Sequence, residues 1–509
     1  MLNWLSERFA REALNLPEPA APAPVKKRSW QAASGSRLFS DFVASTKSAD
    51  AELRYNLRTI RDRSRELCRN NDYANRYLQL LSSGVVGENG FSLQSRARNE
   101  RRPGEEQGQL DASGNAILER NFKKWGERCT VDGKHSWLDV QRIVAKSLAR
   151  DGEILVRFVK GRGWKDGFAL QLLEADYLDE TYSTQTPGAD GSRIIMGVEL
   201  DKWDRPQAYH LLLGTAGHPF DDIGSSRPNQ RVRIPAEEIL HIYLPDRAQQ
   251  TRGVPWLATA MMRLHTLDKY EESELMAARV AANKLGIITS PEGDGYVGDD
   301  EADGYPIMMG EPATFQQLPA GMDIKPLDFT HPTNAFLDFH KSVLRGVASG
   351  LGVSYTSLSN NLEGVSYSSI RQGTLEERDH YRQIQMFLIQ HLALPVCREW
   401  LAMAMSTNSI PLPIQKFDKF ADNLQFRGRG FPWVDPAKEA KAAQLEVQSG
   451  FKSMNDIAQQ YGKDIEEVFA ALQSDKAMAD RYGIKLAYEP FGTSHMPINP
   501  DGYEDQTQG

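Results

Sequence analysis

An α+β fold is predicted for this chain, and three observations predict it. Strand-like runs gather between Glu153 and Tyr243 and do not alternate one-for-one with helices. Two helical stripes, over 255–285 and 334–351, bracket a second β excursion. A segment rich in Gly, Ser and Asn, from Gly350 to Ser369, then feeds one long amphipathic helix.

The elements follow in order. Leu2, Leu5, Phe9 and Leu14 stripe a short N-terminal helix, and Pro17-Glu-Pro-Ala-Ala-Pro-Ala-Pro24 is a stiff linker, so residues 1–47 read as a flexible arm. Residues 48–82 give two helices, with Asp72 as the cap between them. Gly84–Gly90 reads as a turn into a strand, because no Gly-Lys-Ser/Thr completes a phosphate loop. Two more helices fit Ile117–Trp125 and Trp137–Arg150, the second closed by Asp151-Gly152. Strands fit Glu153–Val159, Phe168–Glu174, Ile194–Leu200, Ala208–Leu213 and Ile234–Tyr243. Gly161-Arg-Gly-Trp-Lys-Asp-Gly167 approaches a dinucleotide fingerprint, but it is one residue too long and runs into a strand, which makes it a hairpin loop.

The second half is dominated by helices. Leu257, Met261, Leu264, Leu267, Leu275 and Ala278 stripe the first helix of the bracketing pair. Phe336, Phe339, Val343 and Val347 share one side of the other, with Lys341 and Arg345 on another. The long helix carries Tyr381, Ile384, Leu388 and Leu392 on one face and Arg371, Glu376, Glu377, Arg378, Asp379 and Arg382 on the opposite one. Ser368 or Ser369 is its expected N-cap. From Ile370 to Leu394 it would be roughly 37 Å long. Pro395 is expected to kink it, not end it, since Val396, Cys397, Trp400 and Leu401 resume the period. Phe426–Trp433 is a basic, aromatic turn, and three helices follow over Ala437–Gln448, Ser453–Tyr461 and Asp464–Ser474.

Composition narrows the function. Lys+Arg 60 against Asp+Glu 68 gives a net charge of −8, so this is not a basic chain built to neutralise phosphates over its whole surface. Loose passage of a polyanion past an acidic wall is compatible with it. Cys68, Cys129 and Cys397 have no metal-ligand spacing and read as reduced thiols in a cytoplasmic setting. There is no run of 18 apolar residues to span a membrane, and the N-terminus lacks the pattern of a signal peptide. Asp299, Glu301, Asp303 and Gly304 resemble the start of a calcium loop, but Gly310 stands where a bidentate Glu is needed. A hydrolase using His241 with Asp246, or with the Asp299–Asp303 cluster, is the enzymatic alternative, although no nucleophile elbow accompanies it.

Spread along the chain, several segments together resemble the lambda-type family of phage portal proteins. They are Arg69-Asn-Asn-Asp-Tyr-Ala74 with Val86-Gly87, Arg150-Asp-Gly-Glu153, Gly197-Val-Glu-Leu-Asp201, and Arg205-Pro206 with Ala208-Tyr209. His241 with Gln250-Thr-Arg-Gly-Val-Pro-Trp256 is the most family-like, followed by Gly350-Leu-Gly352, Tyr367-Ser-Ser-Ile-Arg371, and Asp435-Pro436 with Glu439 and Gly450. The resemblance implies a portal-protein fold: wing (48–254), two-helix stem (255–286 and 334–351) around a small β-containing clip (287–333), tunnel loop (352–368), wing spine helix and return (369–433), helical crown (434–490) and flexible tail (491–509). It further implies a ring, usually dodecameric, at one capsid vertex of the virion, assembled in the bacterial host cytoplasm, through which double-stranded DNA is packaged and ejected. The implied partners are the terminase large subunit, a head–tail connector or head-completion protein, and the major capsid and scaffold proteins, with no membrane. No catalytic residue, metal or cofactor is implied, and the ATPase belongs to the terminase. Another head–tail connector or a baseplate component is the remaining structural alternative. On this view Ser357, Ser359, Asn360 and Asn361 offer short hydrogen bonds to a passing DNA backbone, and Lys341 and Arg345 add local attraction.

Overall fold

The computed structural model describes residues 46–100, 108–184, 188, 191–212, 231–282, 286–289, 300–302, 305–307, 323–326, 335–431, 436–461, 463 and 465–484. The expected N-terminal helix, the proline linker and the tail 491–509 lie outside the described residues.

Helices open the described chain. α1 (Leu57–Asn70) and α2 (Asp72–Leu81) bury Leu57, Leu67, Tyr77 and Leu81, as their periodicity requires. The cap between them is Asn71, one residue before the expected Asp72, and its Oδ1 accepts the Ala74 amide at 3.1 Å. A π turn, Ser82–Val86, and Gly87 at φ 72° lead into β1 (Ser92–Ser95). α3 (Ala112–Trp125) and α4 (Trp137–Asp151) match the predicted pair. Ser136 and Asp139 cap α4 reciprocally, and Gly152 ends it at φ 85°. A β-carbon on Gly152 would run into the backbone of Val254, so this glycine is required twice over.

β2 (Glu153–Lys160) and β3 (Phe168–Leu173) form the expected hairpin, with Lys160 opposite Phe168. Two of the predicted strands are each divided in two. Ile194–Leu200 becomes β4 (Arg193–Ile195) and β5 (Val198–Leu200), because Met196 and Gly197 take positive φ and turn the chain back. β6 is Pro206–Leu212. Ile234–Tyr243 becomes the end of β7 (Arg231–Pro235) and all of β8 (Ile239–Tyr243), separated by a 3-10 turn at Ala236–Glu238. Two antiparallel sheets result, a three-stranded β3-β2-β8 and a four-stranded β4-β5-β6-β7 meander.

The helix–β–helix order holds. α5 (Met261–Ala282) precedes β9 (Gly286–Thr289), β10 (Asp300–Ala302), β11 (Tyr305–Ile307) and β12 (Asp323–Pro326), and α6 (Ala335–Leu351) follows. β9 pairs with β12 and β10 with β11, both antiparallel. The segment expected to be all loop contains a short helix, α7 (Tyr355–Ser359).

α8 (Tyr367–Leu388) starts earlier than expected. Its N-cap is Ser366, whose backbone is still extended and whose hydroxyl accepts the Ser369 amide at 3.3 Å; Ser368 and Ser369 already lie in the first turn. The helix does not stop at Pro395. A π turn, Ile389–Ala393, hands α8 over to α9 (Leu394–Ser406), and the Leu394 amide bonds to the Ile389 carbonyl across the wider turn. Pro395, with no N–H to give, then occupies the first turn of α9, where none is needed. Val396, Cys397, Trp400 and Leu401 are buried, as the resumed period predicts. β13 (Leu424–Arg427) pairs with β1. α10 (Pro436–Gln448), α11 (Met454–Gln460) and α12 (Ile465–Tyr482) complete the chain, the last running past the expected end at Ser474.

The main core centres on an aromatic node that ties α9 to α3, α4 and β3. Phe122, Trp125, Trp137, Phe168 and Trp400 meet there, with ring separations such as 5.2 Å for Phe122–Trp400 and 5.7 Å for Trp125–Phe168. The Trp125 and Trp400 indole N–H groups donate to the Phe168 carbonyl (2.9 Å) and to Asp166 Oδ2 (3.1 Å), so these large rings are buried without stranding a donor. A smaller core between the two sheets holds Leu155, Leu173, Val198, Tyr209, Leu211 and Ile239. All three cysteines are buried without a disulfide, and burial pushes the Cys129 thiol up to about 12.

Candidate functional site

The segment between α6 and α8 is pinned at its root. Gly352, at φ 68°, ends α6, and Leu351, Val353 and Leu358 are buried beneath the segment. Ser354 caps α7 through the Ser357 amide at 3.2 Å. The hydroxyls of Ser354 and Ser357 both donate to Glu377 Oε2 of α8, at 3.0 and 2.7 Å, while Tyr381 donates to the other carboxylate oxygen. From α2, Arg76 Nε donates to the Ser357 carbonyl at 3.1 Å. Burial, with Glu377 beside it, pushes the Tyr381 phenol well above its usual value.

Glu377 therefore corrects its predicted place on the charged face of α8, since it is buried. Its spacing carried the signal: it stands one turn from both Thr374 and Tyr381, on the inward stripe, and only its charge argued for the outside. Glu377→Ala should strand three hydroxyls at the root and cost about 1–3 kcal/mol. Faster amide hydrogen exchange over 354–366 checks it; unchanged exchange there would show that Glu377 does not hold the segment.

The structure gathers the six predicted residues on α6 and the segment after it, in unequal situations. Ser357 is committed to Glu377, and the Ser359 hydroxyl donates to the Tyr355 carbonyl at 2.8 Å. Asn360 takes the left-handed conformation at φ 53°, and Asn361 Oδ1 accepts the Glu363 amide at 2.9 Å. Leu362, Glu363 and Gly364 stand in solvent. Lys341 Nζ lies 3.9 Å from Glu363, and the Arg345 guanidinium lies over the Tyr355 ring at 5.6 Å.

The helix pair α5 and α6 departs from its predicted stripes. Leu264, Leu267, Leu344 and Val347 are buried, but Leu275 is 67 % exposed and Phe339 55 %, while Glu274 faces inward. Tyr270 packs against Phe336 and Phe339, and an open cavity of about 500 Å³ lies between Met262, Leu267, Tyr270, Phe339 and Val343. His340 pairs with Glu271, and Tyr73 of α2 bonds to both.

His241 belongs to an ionic knot in the core. Glu153, at 0 % exposure, receives Arg252 (Nε 2.9 Å), Arg61 (Nη2 2.9 Å), His241 (Nε2 2.9 Å) and the Gly253 amide (2.9 Å). Burial alone would raise the Glu153 carboxyl; Arg252, His241 and Arg61 outweigh it and hold the group well below the carboxylate range. Burial depresses His241 more than Glu153 raises it, and its Nε2 shares a hydrogen bond with the carboxylate. Around the knot, Arg65 Nε bonds to Asp151 at 2.6 Å and Arg61 to Asp176 at 3.0 Å. Asp246 does not join it; its backbone amide donates to the Gln250 side chain. Asp299 and Asp303 lie outside the described residues, and Glu301 sits in β10. Among the described residues no group of His, Cys, Asp or Glu is placed to hold a metal, and no helix is long and apolar enough to cross a membrane.

The family model "Phage portal protein, lambda family" matches residues 35–385. The chain belongs to the lambda family of phage portal proteins. The probable portal protein of Halomonas phage phiHAP-1 is 33% identical over 502 residues, covering 96% of this chain and 94% of that relative. Portal protein B of Escherichia phage lambda is 24% identical over 463 residues, covering 84% of each. Among solved structures, a chain from the neck of an empty gene transfer agent particle is 15% identical, covers 80% of this chain and 93% of its own length, and has a TM-score of 0.40. The portal family is structural and not enzymatic, and the hydrolase alternative has no support: its histidine is a core residue clamped by Glu153. The ionic knot also gives a physical reason for two portal-like motifs identified in the sequence. Arg150–Glu153 ends α4 and supplies Asp151 and Glu153; Gln250–Trp256 supplies Arg252 and Gly253 and leads through a 3-10 turn, Trp256–Thr259, to α5.

Proposed function

We propose that this chain closes into a dodecameric ring at one capsid vertex, through which double-stranded DNA enters and leaves the head. The exposed apolar face of the α5–α6 pair carries this reading. Leu275, Met276, Leu337 and Phe339 stand in solvent beside an open apolar cavity, on helices that would form the stem. A second copy docked head-to-tail would cover that face, and head-to-tail contacts that close make rings. The strand pairs β9–β12 and β10–β11 then belong to the clip, α8 and α9 to the wing spine, and α10 to α12 to the crown.

In this ring the tip at Asn360–Asn361, with Ser357 and Ser359 behind it and Lys341 and Arg345 on α6, faces the channel. Short neutral hydrogen bonds with few fixed charges suit a conduit, because each added phosphate contact raises affinity and friction together. Terminase large subunit, a connector or head-completion protein, and the major capsid and scaffold proteins are the partners that this role requires. The virion vertex is its place, after assembly in the host cytoplasm.

Electron micrographs of the purified chain are expected to show rings with a central channel. The double variant Leu275→Asp, Phe339→Asp should remain folded and lose the rings. A wild-type chain that stays monomeric, and also fails to assemble with scaffold and capsid proteins, would overturn the proposal.

A further inference from the structure

Three arginines converge on one ring where the return segment meets α8. Arg378 and Arg382, one turn apart on α8, and Arg429, from the turn after β13, each place their guanidinium carbon 5.5 Å from the centroid of Phe431. No two of them are therefore farther apart than twice that distance. Tyr381 stacks on the same ring at 16°. Gln385 fixes the turn to the helix, donating to the Arg429 carbonyl at 3.2 Å and to the Val85 carbonyl at 2.9 Å.

Two open cavities, of about 880 and 540 Å³, adjoin at Gly428, Arg429 and Phe431, which line both and make up the trough beside the cluster. Arg142 and Lys146 line its far end. Asp379, Glu439, Glu377, Asp456 and Glu88 face the same region, and Arg429 also donates to the Ser83 carbonyl. Asp379 takes Arg382 at 2.8 Å, and Glu439 lies 3.6 Å from Arg371 and also acts on Arg378. Asp456 is engaged in capping α11, and Glu88 lines the far end. Burial lowers Arg378 from the usual guanidinium value, with Arg382 and Arg429 adding to the effect and Glu439 and Glu377 opposing it.

We propose that this trough binds the phosphodiester backbone of duplex DNA without regard to sequence. Planar guanidinium forks suit phosphate oxygens, and Arg142 and Lys146 add cations to a lining that includes Arg429. Phe431 is already covered by Tyr381 and the guanidinia, so its face is not open to a base, and the charge beside it reads no sequence. On a chain of net charge −8 the three clustered guanidinia give such binding a local foothold. The site uses none of the six channel candidates and does not depend on ring closure.

The test is fluorescence anisotropy of the full-length chain with a labelled duplex of about 30 base pairs across 50–200 mM salt, with the salt slope read as released counterions. The triple variant Arg378→Gln, Arg382→Gln, Arg429→Gln is expected to reduce the slope by about 2–3 and weaken binding at least ~tenfold at low salt. The corresponding triple Arg→Lys variant should restore most of the slope, which a fold defect would not allow. Inorganic phosphate should compete only at far higher concentration than duplex, since it engages one cation group and not the row. Unchanged slope in the Gln variant overturns the proposal. So does a Gln variant that binds duplex normally but no longer forms rings, which would assign the cluster to carboxylates of a neighbouring copy. Arginine-dependent duplex binding by a chain that never forms rings would instead sink the ring reading alone.

Discussion

Glu153→Gln is expected to lower the stability of the folded chain by about 3–5 kcal/mol, because it removes the anion and leaves buried cations behind. Arg61 would keep Asp176 at 3.0 Å. Arg252 would keep only neutral acceptors, the new amide oxygen and the carbonyls of Met196 at 2.8 Å and of Leu178 and Ala175 at 3.4 Å, with no exposure to water. The loss should concentrate where Arg252 holds the chain entering α5, so amides over 250–260 should exchange early. Denaturant unfolding, followed by helix content and by exchange in this segment, checks it. A shift below about 1 kcal/mol would mean that hydrogen bonding alone holds the knot.

Acid should act in the same direction. The Glu153 carboxyl lies below its usual 4.5 in the folded chain, so its stabilisation is present above that value and fades as pH falls toward the folded one. His241 lies below its usual 6.5, so beneath that value protons bind the unfolded chain more readily than the folded one. Both effects make stability fall on acidification, beginning below pH 6.5 and steepening below 4.5. In Glu153→Gln the slope below 4.5 should be shallower.

Removing Asn361–Gly364 is expected to leave rings and melting behaviour nearly unchanged, while most particles fail to package or retain DNA. The anchors lie outside the deletion: Ser354 and Ser357 stay on Glu377, and Leu358 stays buried. Exposed loop residues contribute little burial, and their loss typically shifts stability by about 0.5 kcal/mol or less. Counting rings by microscopy and DNA-filled heads by nuclease protection separates the two outcomes. Loss of the rings would make the segment structural; normal filling would exclude these residues from contact with DNA.

Apolar periodicity made the helices legible, and alternation the strands, because both are local properties. Burial of charge was not. Arg61 is one of many charged residues on α1, yet its partner Glu153 is 92 residues away, and Arg252 is 99 from the same carboxylate. Nothing local marks such a set. Leu275 and Phe339 failed for the opposite reason: their period is helical, but among the described residues they stay exposed. Glu377 lay between these cases, since its position fitted the inward stripe and its charge did not.

The π turn at Ile389–Ala393 sets a phase. α8 packs on the turn Ser82–Val86, whereas α9 packs on β3 and the hairpin tip before it. An unbroken α-helix would carry one apolar line past both walls. A single surplus residue rotates everything after it by about 100°, and brings Trp400 round to the aromatic node. The change of direction is thus stored as one residue of length and not as a break in the rod. A chain one residue shorter there would have to give up one wall or the other.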